Sequence, residues 1–523
     1  VTGTRGPSRR PAAAAFAAAL LVYASTTGGS LATSDAVATY EVTESIVLHG
    51  SVALRSDAVG MEGARGLDGR MYAPFGIGQS LYNIPFFLAG LAVRDGLGIR
   101  IGKPSTIPKA AVAVGSAVAA AVGVGVTALF ALRIAGGDAQ AALFAALGLA
   151  FATSVWPYAK FGFNAPLTLA LVTAGLHAAW IASRDRLIRA WWWSGAALAF
   201  ALLVRHEMIL LIVPVALWAA LEARGNPGRT VASLLRVAVP LALALAATLL
   251  YNAARFGNPL DTGYLRDSTA QFNQPVLEGL YGLLLSPGAS LFLYAPLTIP
   301  GAIGLAMLWR ADRNLAAMLT AAFVTFLIFY ASLGHWAGGR SYGPRYLVPL
   351  LSCLCLPLAP WFARAWRGTR RALLACAVAG AIVQLPGVLV DFSKASIDHA
   401  RRFDPGMLPD RRYDWRSAPL LVNLTAAVEA VPRNVRYLAG SEAAPPLQPS
   451  AGDASREFAQ QFSFSLDFWW LYLWHLDAIP AALALALGAL PIAAAGWIVI
   501  GAWRAGARRP LPPPPLTLPI SRT

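Results

Sequence analysis

The sequence predicts an all-α polytopic membrane protein with about twelve transmembrane helices. Three observations carry that prediction. Apolar runs of about 20 residues, the length that spans a bilayer as a helix, recur from end to end. Of the 523 residues, 57% are hydrophobic and only 13% are charged, so the charged faces of a soluble multidomain protein are lacking. Arginine clusters fall in alternate loops, as the positive-inside rule requires of a multi-pass chain.

The predicted spans are about 11–28, 108–132, 138–155, 165–183, 190–204, 207–222, 230–251, 291–309, 314–333, 346–364, 371–390 and 478–503. With the N-terminus inside, every inside loop is basic: Arg133; Arg184, Arg186 and Arg189; Arg224 and Arg229; Arg310 and Arg313; Arg364, Arg367, Arg370 and Arg371; Arg504, Arg508 and Arg509. The start, "GPSRRPAAAAFAAALLVYAS", admits a signal peptide. An uncleaved first helix anchored by Arg9–Arg10 is preferred, because many spans follow. The stretch "SLYNIPFFLAGLAV" (80–93) would invert all later helices if it spanned. It is short and holds Pro85, so it is expected to lie in the outer interface. Arg94, Arg100, Lys103 and Lys109 then fall outside, against the rule.

The expected division is a transmembrane module over 1–390 with a long first outer loop (about 29–107), a small extracytoplasmic cap over 391–477, a last helix over 478–503 and a Pro-rich cytoplasmic tail over 504–523. Trp469, Trp470, Tyr472 and Trp474 read as an interfacial belt where the cap rejoins the membrane, and Trp191 to Trp193 as its inner counterpart. No internal repeat is visible.

The net charge of +16 is accounted for by loop arginines, and no nucleic-acid motif accompanies it. Cys353, Cys355 and Cys376 lie inside apolar runs and read as small buried residues, not disulfides or metal ligands. The six histidines have no ligand spacing, so no protein metal cage is expected, while a divalent cation held with a substrate stays open.

Polar constellations crowd the predicted outer face. "ATSDAVATYEVTESIVLHG" carries Asp35, Glu41 and Glu44. Asp35 suits a helix N-cap; alternatively it is a carboxylate at the water–lipid boundary that accepts a proton. "DGRMYAPFGIGQSLYNIPFF" offers a turn at Asp68-Gly69, with Tyr72, Gln79 and Ser80 beside it. "LLVRHEMIL" sets Arg205, His206 and Glu207 in a break between apolar runs. Ionisable groups at membrane depth are costly and usually functional; an Arg–Glu pair closing a helix break, or an arginine holding a lipid headgroup, also fits. "LLYNAARFGNPLDTGY" contributes Arg255, Asp261 and Tyr264. "LLLSPGASLFLYAP" turns at Pro287-Gly288.

The densest stretch is "HWAGGRSYGPRYLVPL" from His335. Gly338, Gly339 and Gly343 permit a tight fold and close approach to a ligand. Arg340 and Arg345 can clamp phosphate oxygens with paired donors, and Tyr342 and Tyr346 can meet a sugar face or the interface. An interfacial lipid anchor would explain the arginines, but not three glycines and a histidine in the same turn. A carboxylate and several arginines at one lipid boundary suit attack on a lipid-linked phosphate ester.

These motifs, spread over residues 33–351, resemble membrane glycosyltransferases of the type C superfamily (GT-C), in the branch of polyprenyl-phosphate-sugar-dependent mannosyl- and aminoarabinosyl-transferases. The resemblance implies a helical bundle with interfacial helices in the first outer loop. It implies a polyprenyl-phosphate sugar donor met from the outer leaflet, a lipid, glycan or protein hydroxyl as acceptor, and membrane lipids but no nucleic acid as partners. The implied location is the bacterial cytoplasmic (inner) membrane, with the site facing outward. It also implies an acidic base in the first outer loop, where Asp35 stands. Glu44, Tyr72, Gln79, Arg205, His206, Arg255, Tyr264, His335, Arg340, Tyr342 and Arg345 are the expected substrate-binding residues.

Two positions depart from the pattern. Ala165 precedes Pro166 where relatives often carry an acid, and Ala289-Ser290 follow Pro287-Gly288 where relatives often carry a basic residue and Gly. They put the exact reaction in question more than the fold. A noncatalytic lipid-linked-saccharide binder or transporter is the alternative class, and a structural subunit using the cap for a protein partner is a third.

Overall fold

The structure is a computed structural model that describes residues 9–31, 33–55, 63–99, 101–264, 271–403, 407–447, 461–462 and 464–507. Most of the Pro-rich tail and Arg100, Arg508 and Arg509 lie outside the described residues.

Helices α1 (Arg10–Thr26), α4 (Thr106–Ile134) and α5 (Ala139–Phe151) form the alanine-rich centre. Ala15, Ala19, Ala117, Ala120, Ala121 and Ala145 are all fully buried. Small residues let backbones approach closely, which supplies packing where lipid removes the hydrophobic drive between helices. Seven elements among the described residues are long and apolar enough to cross a membrane. They are α4, α7 (Asn164–Arg184), α10 (Pro227–Phe256), α14 (Arg313–Ala331), the composite Arg345–Arg364, α17 (Arg367–Leu389) and the last helix (Ala481–Ala507). The other five predicted spans are shorter helices: α1, α5, α8 (Ala190–Val204), α9 (Ile212–Glu222) and α13 (Thr298–Ala311). Along α10 the leucines Leu235, Leu243 and Leu250 are exposed, as a helix facing lipid requires.

The expected inside loops meet one another. Arg133 pairs with Asp185 at 2.8 Å, and Arg184 pairs with Asp312 at 2.9 Å and Glu222 at 3.2 Å. The loops before α5, α8, α10 and α14 therefore share one end of the bundle.

The opposite end carries the long first loop. It begins with α2 (Ser34–His49), whose N-cap is Thr33: the hydroxyl accepts from Ala36 N at 3.4 Å. The expectation that Asp35 caps this helix is corrected; Asp35 stands in the first turn with its carboxylate turned elsewhere. A two-strand ribbon follows, β1 (Ala64–Arg65) antiparallel to β2 (Met71–Tyr72). The interfacial segment is a full helix, α3 (Gly78–Gly96), longer than its apolar core suggested.

The cap contains α18 (Phe392–Ala400) and α19 (Pro419–Leu438). Between them and the returning chain at 462–472 lies a cavity of about 460 Å³. The tryptophans of the return do not form a simple lipid-facing belt. Trp469 Nε1 donates to Ala24 O and Trp470 Nε1 to Ser25 O, both at 2.9 Å, so they clasp the end of α1.

Candidate active site

Three chain breaks build the site. The first is Arg205, whose extended backbone (φ −143°) ends α8 before a 3-10 turn over His206–Leu211. The second is the loop 334–344, which folds back on itself: Gly338 N donates to His335 O at 2.9 Å, and Gly343 takes a left-handed φ of 74°. That value is open to glycine at little cost, and it delivers Arg345 to a 3-10 turn over Arg345–Leu350. The third is the start of α2.

These breaks bring Asp35, Arg345 and Arg205 into one cluster. Arg345 Nη2 lies 3.2 Å from the Asp35 carboxylate, with both side chains about four-fifths covered. The Arg345 guanidinium also sits 5.0 Å from the Tyr346 ring centre. On the other face of the cluster Arg205 lies 5.5 Å from the Tyr346 ring and 5.6 Å from the Tyr330 ring. Those two rings stack at 4.9 Å. Arg205 Nη2 pairs with Glu207 at 2.8 Å, and the Tyr330 hydroxyl donates to the same carboxylate oxygen at 2.7 Å. Tyr264, partly exposed, packs edge-on against Phe75 at 5.6 Å between ring centres and lies within electrostatic range of Asp35, Glu207, Tyr346 and Arg205. Two guanidiniums thus flank a shared tyrosine, each held by one carboxylate. The planar forks are aimed by carboxylates and rings, an arrangement that fits oxyanion recognition.

The other predicted residues divide. His335 and Arg340 stay in the loop that presents Arg345, with Arg340 exposed at its rim. His206 Nε2 is buried without a hydrogen-bond partner among the described residues. Glu44 pairs with Arg55 at 3.4 Å. It lies nine residues beyond Asp35, or about 13 Å of helix rise, and so away from the cluster. Tyr72 donates to Asp68 at 2.7 Å and fastens the ribbon turn. Gln79 donates to Asn83 at 2.9 Å inside α3, and its own carbonyl oxygen is buried without a partner. Tyr342 is fully buried, donates to Val383 O, and wedges against Tyr294 at 5.0 Å between ring centres. It is a core strut and does not present a ring to a sugar.

Arg255 is likewise engaged by the chain. Its guanidinium donates to Ala73 O at 2.5 Å, Tyr251 O at 3.2 Å and Asn252 Oδ1 at 2.8 Å, and lies 3.6 Å from the Tyr251 ring centre. It ties the end of α10 to the first loop and does not join the pair at Arg205 and Arg345.

Two contributors escaped sequence reasoning. Tyr330 sits in the last turn of an apolar helix and gave no polar signal beyond being a lone phenol there. Arg411 comes from the mixed-charge cap, where it is one arginine among many; its Nη2 donates to Ser341 O at 2.9 Å.

The fold is similar to a solved membrane protein. The crystal structure of ArnT from Cupriavidus metallidurans in the apo state matches over 93% of this chain and 75% of that one, with a TM-score of 0.51 and 14% sequence identity. Residues 106–252 match the model of the dolichyl-phosphate-mannose-protein mannosyltransferase family. No curated protein sequence matches. The likeness in fold and the family-model match over residues 106–252 agree with the resemblance carried by the motifs. The matched segment holds Arg205 and Glu207; Asp35 and Arg345 lie on either side of it.

Proposed function

We propose that the chain transfers a sugar from a polyprenyl phosphate to a hydroxyl of a lipid, glycan or protein, on the extracytoplasmic side and with inversion. The observation that carries this reading is the Asp35–Arg345 pair at 3.2 Å beside the Arg205–Glu207 pair. A base next to a phosphate-binding guanidinium is the pairing such a displacement needs. The acceptor oxygen attacks the anomeric carbon, the bond from that carbon to the phosphate oxygen breaks, and Asp35 takes the hydroxyl proton. Arg345 and Arg205 act at the leaving phosphate, where negative charge grows. Arg345 pairs with the Asp35 carboxylate. A phosphate that takes the Arg345 donors releases the carboxylate toward the acceptor, so donor binding and base exposure are one event.

The test is transfer in proteoliposomes supplied with a panel of labelled polyprenyl-phosphate sugars, with Asp35→Asn as the control. Consumption by the wild type that is lost in the variant supports the reading. Movement of the lipid-linked sugar across the bilayer with no new glycosidic bond would replace it with the transporter class.

A further inference from the structure

The cap reaches into this site. Arg411 lies between α18 and α19, and its backbone docks on the turn at Pro287-Gly288. Gly288 N donates to Arg412 O at 3.3 Å, and a Cβ at Gly288 would collide with the Arg411 carbonyl. From there the side chain passes to the 334–344 loop and donates through Nη2 to Ser341 O at 2.9 Å. Its Nη1 is buried and has no hydrogen-bond partner among the described residues.

Ser341 follows Arg340 in the loop that leads to Arg345, so the Arg411 head sits on the segment that carries both charges. Burial holds its pKa below the ordinary arginine value; Tyr294 and Tyr158 oppose that, and the Arg340 and Arg345 charges add to it. A buried guanidinium with an unused donor beside like charges is unfavourable unless something compensates. An oxyanion is the group that would, because it accepts from the free donor and offsets the Arg411 charge. The neighbouring turn supplies no cation itself: Pro287-Gly288 is followed by Ala289, which is fully buried.

We infer that Arg411 is a phosphate-binding residue, delivered by the cap to the turn at Pro287-Gly288, so that the lipid-phosphate site is completed across the junction of cap and membrane bundle. The inference rests on the proposed donor chemistry. It adds that the cap is part of the donor site and not only a cover over it.

The experiment is binding of a short polyprenyl monophosphate, and of the matching uncharged polyprenol, to the full chain in nanodiscs, followed by tryptophan fluorescence. Arg411→Gln retains a donor for Ser341 O and so keeps the cap docked; Arg411→Lys retains the charge. A charge-assisted hydrogen bond is worth about 1.5–3 kcal/mol, so Arg411→Gln is expected to weaken monophosphate binding by about ten- to hundredfold. Arg411→Lys should weaken it less, and polyprenol binding should be unchanged in both. Wild-type affinity for the monophosphate in Arg411→Gln, with affinity lost in Arg345→Ala, would overturn the inference and leave the proposed function standing. Equal loss of monophosphate and polyprenol in Arg411→Gln would overturn it in favour of a purely structural cap contact. Failure of the wild type to bind the monophosphate would end both.

Discussion

Two ionic clusters stand at the end of the bundle that carries the long first loop, and they are built on opposite terms. The first centres on Lys160, in the turn between α6 (Val155–Tyr158) and α7. Its side chain is fully buried, and its ammonium meets Asp467 Oδ2 at 3.0 Å, Asp467 O at 3.1 Å and Val388 O. Tyr472 donates to the same carboxylate at 2.7 Å, and Phe161 and Phe468 cover the ammonium at 5.1 and 5.4 Å. Two carbonyls accept from the ammonium, and Asp467 Oδ2 meets it as an ion pair. The second cluster pairs Arg205 with Glu207 and Arg345 with Asp35, and the Arg411 head is held nearby on Ser341 O. One cluster is closed and locks α1, α7, α17 and the cap together. The other keeps an unused donor, Arg411 Nη1, among the described residues.

The contrast can be broken from either side. The largest effect is expected from Asp35→Asn, which should lower transfer by about 10²–10⁴-fold, the usual worth of a general base, with the thermal midpoint nearly unchanged. A variant that transfers at the wild-type rate would remove Asp35 from the mechanism and turn attention to Glu41 and Glu44. Lys160→Met should behave in reverse. Removing one partner of a buried pair costs about 3–5 kcal/mol, seen as loss of monodisperse protein, while activity per folded molecule holds. Adding Asp467→Leu should recover much of that loss, and failure to recover would mean that the seam depends on more than this pair.

Arg205→Ala should reduce turnover by about 10²-fold if its charge acts on the leaving phosphate. A rise in KM with kcat unchanged would instead mark it as a ground-state anchor.

The smallest effect is a slope in stability against pH. Asp391, at the N-terminus of α18, has its carboxyl pushed up to about 6 by burial and by the nearby Asp467 carboxylate. The folded protein then holds this proton more tightly than the unfolded chain, whose Asp titrates near 4. Stability from this group is present at low pH and falls as pH rises from about 4 to about 6, with no further change above. Asp391→Asn should flatten that part of the melting-temperature profile relative to wild type; parallel profiles would show that the group does not contribute.

Much of this was legible in the sequence, for identifiable reasons. Long apolar runs and loop arginines report directly on membrane length and charge asymmetry, so helix order and the shared end of the basic loops could be read. Asp35, Arg205, Tyr264 and Arg345 could be singled out because ionisable or aromatic groups interrupt apolar patterns there. Their neighbours Arg255 and Tyr342 satisfied the same criterion and proved to be struts. Sequence shows that a polar group is present at a boundary, but not whether its donors are consumed by carbonyls such as Ala73 O or Val383 O. Arg411 and Lys160 were missed for the complementary reason. Their roles arise from contacts across 70 and 307 residues, and local pattern carries no trace of such pairings.

The clasp at the end of α1 has a consequence in time. Ala24 and Ser25 receive their hydrogen bonds from tryptophans 445 residues later, and α1 also packs against the final helix. During synthesis α1 therefore waits in the bilayer without these partners until the segment around Trp469 has emerged. The order of translation makes this clasp a late step of assembly, and a ribosome that stops before residue 469 leaves α1 with an open flank.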